Sequence, residues 1–291
     1  MRLPYAVGPL VALLAGCDGL TYSYDDPPAQ APPADSRFDT ARSGTVTGTV
    51  RWAGERPAVP GVPVPTFTLT GVPPGVVPHP NAPVLDPATG GVRSAVVSLR
   101  GVDPALARPW DHPAVGVEAT DTAIVVRQGA DARRVGFVRA GAPVRFEGKA
   151  TNVVGVRGRG GDFFTYLFPT GPVPVVRTLP REGRVELSSA SGQYWAAADL
   201  FVRTDPYIAQ PDGAGRFQFA DVPAGRYELV VWHPNWLAGP SERDPETGAI
   251  ARQPYRPAAE VARPVEVTAG GKAAAAVTLS VGDFPGTDGR P

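Results

Sequence analysis

Sulfur and imidazole are scarce in this sequence. Its 291 residues include one Cys, one Met and three His. A single cysteine cannot close an internal disulfide, so no cross-linked framework is available. The one Met is Met1, which leaves no thioether inside the chain. A charge excess is also missing. Lys+Arg and Asp+Glu both number 28, for a formal net charge of zero, and nothing in that balance favours a nucleic-acid partner. No amphipathic helix longer than a few turns and no tandem repeat is visible. Gly (34) and Pro (35) are abundant instead. Both break helices, and Pro interrupts central strands, so short strands and many turns follow. The 43% hydrophobic content and the alternating segments predict a folded β protein rather than a disordered one.

The strands are legible as alternation between turn residues. GTVTGTVRWAG, from Gly44, puts Val46, Val50 and Trp52 on one face. Val59–Pro87 is Pro-rich and reads as a long surface loop. VRSAVVSLRGV (Val92–Val102) is apolar through its middle and reads as a buried strand. From Thr122, TAIVVRQG, RRVGFVRAG and PVRFEGKA are short β runs. GDFFTYLFP, GRVELSS and WAAADLFV follow. Asp212-Gly213 and Pro223-Ala224-Gly225 mark turns on either side of a strand carrying Phe217 and Phe219. PVEVTAGGKAAAAVTLSV predicts a terminal hairpin turning at Gly270-Gly271.

The amino terminus, MRLPYAVGPLVALLAGCDG, has one Arg, an apolar run too short to span a bilayer, and Leu14-Ala15-Gly16-Cys17. It resembles a bacterial lipoprotein signal ending in a lipobox. That resemblance implies cleavage of residues 1–16, lipidation of Cys17 and anchoring to an envelope membrane, on the periplasmic side of the inner or outer membrane. Residues 17–43 (DDPPAQAPPAD within them) read as a flexible tether. Residues 282–291 read as a disordered tail.

Thr204-Asp205, Gly215-Arg216-Phe217, Val222-Pro223-Ala224-Gly225 and Tyr227-Glu228-Leu229 resemble the pattern of a carboxypeptidase regulatory-like domain, a transthyretin-type β-sandwich. The resemblance implies a sandwich split between 44–110 and 204–281. The segment 111–203 resembles a cupredoxin-like Greek-key insert, an arrangement similar to that of bacterial, planctomycete-type, cupredoxin-like lipoproteins. The fold class expected is therefore all-β, one sandwich combined with the other. Copper-binding relatives carry a His after an Asn-rich turn, and a Cys, a second His and a Met on a later loop. Here those places read Thr151-Asn152-Val153-Val154 and SSASGQYWAAADL. Blue copper needs imidazole and thiolate, which neither place supplies. The reading is a metal-free cupredoxin-like fold without a cofactor.

Other candidate chemistry is weak. His79, His112 and His233 match no ligand spacing, and whether they converge on a metal is open at this level. Tyr194, Trp195, Trp232, His233 and Trp236 form a candidate ligand or partner surface, for a protein or a carbohydrate; for Trp195 sandwich core is the favoured reading, and for Trp236 both stay open. GVRGRGGD lacks the helix and Lys-Ser/Thr of a phosphate loop, and Arg157 and Arg159 read as turn residues. Asp205, Asp212 and Asp221 fit no calcium loop. No G-x-S-x-G elbow occurs, and no nucleophile–base pair is visible. The sequence thus predicts a non-enzymatic, lipid-anchored envelope protein with a binding or structural role. Copper handling, electron transfer and service as a carbohydrate- or peptidase-associated accessory module are the alternatives.

Overall fold

A computed structural model describes residues 36–64, 75–169, 173–246 and 248–286. The expected signal segment, Cys17 and most of the expected tether lie outside them. The protein is all-β: among the described residues the only helical turns are 3-10 turns at Thr40–Arg42 and Val281–Asp283.

Two pairs of sheets pack face to face. In the first pair, a three-stranded sheet orders Arg216–Pro223, Ser43–Trp52 and Lys272–Leu279. It faces a four-stranded sheet of Ile208–Ala209, Val96–Arg100, Gly225–His233 and Ala259–Val267. Val46, Val50, Leu99, Phe219, Leu229, Val265 and Leu279 interdigitate between them. Gly48 shares a face with Val46 and Val50 by strand alternation, and glycine is required there because a Cβ would stand 2.4 Å from the Phe217 ring and 2.1 Å from the Ala275 carbonyl oxygen.

The second pair has five strands per sheet. One sheet orders Phe164–Phe168, Val154–Gly160, Gly183–Ser189, Ala197–Arg203 and Val135–Arg139. The other orders Val175–Thr178, Pro143–Gly148, Val115–Ala119, Ile124–Gln128 and Asp131–Arg133. Their core holds Val117, Phe146, Phe168, Leu187, Trp195 and Leu200. The two sandwiches meet through a smaller apolar cluster: Val135, Phe137 and Phe201 on the outer face of the second, Val96, Ile208 and Trp232 on the first.

Several local expectations change. The terminal segment is no hairpin. Ala259–Val267 bonds to Gly225–His233, whereas Lys272–Leu279 crosses to the facing sheet and runs parallel to Ser43–Trp52. Both flanking strands bury apolar side chains into the same core, so the Gly270-Gly271 connection arches between sheets; Thr45 N–H bonds to the Gly271 carbonyl and Gly270 N–H to that of Ser43. The loop expected over 59–87 contains a small ladder, Val62–Val64 against Gly75–Val77. Arg157 and Arg159 lie on a strand, not in a turn, because alternate positions Val156 and Gly158 face the core. The end of the expected tether is docked: Arg37 N–H bonds to the Ala105 carbonyl. Nor do residues 282–286 trail away, because Phe284 is buried against Trp236, 4.4 Å between ring centroids, and Trp52, at 5.9 Å.

Candidate functional site

The loop joining Gly183–Ser189 to Ala197–Arg203 occupies the place where the cupredoxin resemblance would put metal ligands. It is filled by its own polar atoms. Gln193, 2% exposed, accepts hydrogen bonds from Ser189 Oγ at 2.6 Å and Ser191 Oγ at 2.9 Å. Its amide donates to the Asp121 carbonyl at 3.3 Å. Trp195 Nε1 donates to the Thr122 carbonyl at 3.0 Å and the indole is buried in the core. Gly155 N–H donates to Ser191 Oγ, tying in the neighbouring strand. The available donors are hydroxyl and amide oxygens that already saturate one another. A soft copper site needs imidazole and thiolate, so this set does not fit the metal.

The five residues of the candidate aromatic surface do not share a surface. Trp195, Trp232, His233 and Trp236 are all buried, and Tyr194 is half-buried, its hydroxyl donating to the Pro63 carbonyl at 2.5 Å. Trp232 packs edge-on to Phe201 in the junction between sandwiches, with the Arg184 guanidinium 5.0 Å from its ring centre. Trp236 belongs to the aromatic cluster around Phe284. Sequence spacing put these rings near strand ends correctly, but what covers each is set by distant chain: the second sandwich for Trp232, and Phe284 and Trp52 for Trp236.

The histidines have three separate sets of partners. His79 Nδ1 accepts from Asn81 N–H, and its ring meets Tyr255 edge-on. Burial first, and the nearby Arg134 charge second, lower its pKa to about 4. His112 Nε2 donates to the Pro206 carbonyl between Trp110 and Phe137, and burial lowers its pKa too. His233 lies at 0% exposure; its Nδ1–H donates to the Pro234 carbonyl at 2.8 Å, which leaves Nε2 to accept from Ser94 Oγ, also at 2.8 Å. Burial pushes it down to about 4. Among the described residues no three His, Cys, Asp or Glu side chains gather in a metal-holding group. Asp205, Asp212 and Asp221 are likewise spent locally: Asp205 on Arg203 and Tyr207 N–H, Asp212 on the N–H groups of Ala214 and Arg216, and Asp221, at φ +55°, through its carbonyl to Tyr207 Oη.

A cleft of about 550 Å³ lies where the sandwiches meet. Its walls come from 80–84 and 93–94, from 131–135 with Asp199, and from 210–213 with Pro234. A narrower groove of about 190 Å³ continues past Asp199 to Arg184, Tyr255 and Tyr194. Ion pairs hold its roof: Arg252 bridges Glu186 at 2.7 Å and Glu242 at 2.6 Å. Asp199, 7% exposed, accepts from Arg184 Nε at 2.7 Å; burial raises its pKa against the pull of Arg184. Arg134 donates from Nε to the Ala197 carbonyl at 2.7 Å. Apart from Tyr194, none of these groups stood out in the sequence, because they lie on five separate segments. At the far end of the second sandwich, Phe163, Leu167 and Val173 are exposed beside the edge strand Phe164–Phe168.

No family model matches the sequence, and no curated protein matches it. Among solved structures the chain is similar to a purple cupredoxin from Nitrosopumilus maritimus, at 13% identity over 24% of this chain and 77% of that one, with a TM-score of 0.21. A heme-copper terminal oxidase dimer is similar at 11% identity over 36% of this chain and 77% of that one, TM-score 0.25. The multicopper oxidase McoA of the hyperthermophile Aquifex aeolicus is similar at 15% identity over 33% of this chain and 30% of that one, TM-score 0.21.

Proposed function

We propose that this chain is a non-enzymatic binding protein of the cell envelope, anchored through a lipid on Cys17 and recognising its ligand in the cleft between the two sandwiches. On this reading the strands of 44–110 and 204–281 form a carboxypeptidase regulatory-like unit and 111–203 a cupredoxin-like one that has given up copper. The observation that carries it is the cleft itself, concave, of ligand size and lined from both sandwiches. The non-enzymatic part rests on Ser94 and His233. They have the spacing of a nucleophile and its base. Yet Nδ1 faces a carbonyl rather than a carboxylate, and an imidazole held near pKa 4 is a poor base at neutral pH. The exposed Phe163, Leu167 and Val173 favour a second reading, an accessory module docking on a larger protein.

Two measurements test the proposal. Cys17→Ser should move the protein from the membrane to the soluble fraction; unchanged fractionation refutes the anchor. A thermal-shift screen of small molecules on the full chain should find saturable stabilisers whose effect is lost in Ala132→Trp, which fills the cleft wall. Stabilisers indifferent to Ala132→Trp refute the cleft as the site.

A further inference from the structure

Three arginines and three aspartates line the cleft, but their pairing is uneven. Asp131, Asp199 and Asp212 reach it, and each has its own arginine: Arg133 at 2.9 Å, Arg184 at 2.7 Å and Arg216 at 2.9 Å. Three arginines also line it, and only Arg133 is spent on one of those carboxylates. Arg93 and Arg134 have no carboxylate within ion-pair distance among the described residues. Arg184 and Arg216 engage Asp199 and Asp212 from outside the cleft wall; counting them, five arginines meet three carboxylates, an excess of two positive charges.

Arg134 is the more informative of the two. Its Nε is held by the Ala197 carbonyl, which orients the guanidinium plane. Burial lowers its pKa, with Asp199 the largest opposing influence but beyond ion-pair distance. Arg134 is half-buried, and a partly desolvated cation without a close counter-charge is destabilised unless something supplies one. Asn81 and Gln210 stand on the same walls as hydrogen-bonding groups.

We infer that the cleft binds a small anion bearing a carboxylate or phosphoryl group, anchored on the Arg134 guanidinium with Arg93 as the second contact. A planar guanidinium presents paired N–H donors that match both oxyanions, and such charge-assisted bonds are the strong ones. This inference rests on the cleft-binding reading above and gives that site its ligand class.

The test is isothermal titration of the full chain in detergent with inorganic phosphate and, separately, citrate, at constant ionic strength. Saturable one-to-one binding by either probe is expected, and the tighter probe tells phosphoryl from carboxylate. Arg134→Gln should weaken it at least about tenfold and Arg93→Gln by about threefold or more, while Arg226→Gln, whose residue pairs with Glu266 on an exposed strand, should leave it unchanged. Should Arg134→Gln fail to fold, Arg93→Gln and Arg134→Lys carry the comparison. Absence of saturation by both probes up to about 10 mM overturns the inference. So does equal binding by Arg93→Gln and Arg134→Gln. A neutral ligand that is lost in Ala132→Trp but indifferent to both arginine variants also overturns it, and leaves the cleft-binding reading standing.

Discussion

Ser94 Oγ and His233 Nε2 stand 2.8 Å apart, across 139 residues of sequence. The contact pins the loop before Val96–Arg100 to the end of Gly225–His233, and the Val84 N–H donates to the same hydroxyl at 2.9 Å. The imidazole is neutral in this arrangement. Its pKa is lowered from 6.5 to about 4, so the unfolded chain binds a proton more readily than the fold does. The resulting stability is fully present above pH 6.5 and is lost as pH falls towards 4. Between pH 7.5 and 4.5 this site should contribute a loss of about 2–3 kcal/mol. Urea denaturation of His233→Gln should show a correspondingly shallower acid slope than the parent; equal slopes would place the acid sensitivity elsewhere, as at His79, whose shift has the same direction.

Gln193 holds the 189–193 turn by accepting from two serines while buried. Gln193→Ala leaves both hydroxyls without their acceptor, and should cost about 1–3 kcal/mol by chemical denaturation. Elemental analysis after incubation with Cu(II) and Zn(II) should give the same metal content for Gln193→Ala and parent, since the loop offers only oxygen donors. A stoichiometric metal that the variant loses would contradict this.

Asp199 depends on Arg184. Arg184→Met strands a carboxylate that is 7% exposed, and also removes the cation over Trp232. A loss of about 3 kcal/mol is expected. Arg184→Met with Asp199→Leu should recover most of it, because an apolar pair does not carry the desolvation cost. Additive losses in the double variant would show that the pair itself, not the stranded charge, sets the stability.

Phe284 closes the first sandwich from the carboxyl-terminal side. It is 1% exposed among Trp52, Trp236 and His233. Phe284→Ala should destabilise by about 3–4 kcal/mol, and the Trp fluorescence maximum should shift to longer wavelength. No change in either would mean that these residues do not hold the core.

The sequence by itself determined the all-β class and the positions of many strands, because a period of two is a local property: Phe217 and Phe219, or Val185 and Leu187, face inward wherever their strand goes. It also determined that the 188–196 loop has no soft ligand, since residue identity alone decides that. Pairing was a different matter. The 259–279 segment reads as a hairpin because its turn is short, yet its two strands join facing sheets, and only the shared core of Val265, Val267, Val277 and Leu279 decides this. Trp232 and Trp236 read as a candidate surface because a strand end looks exposed until distant chain covers it: the second sandwich over Trp232, and Trp52 with Phe284 over Trp236. The cleft was invisible for the same reason. Arg93, Arg134, Asp199 and Gln210 have no common motif, and they acquire a common chemistry only where two sandwiches bring their outer faces together and, among the described residues, leave Arg93 and Arg134 with no carboxylate at ion-pair distance.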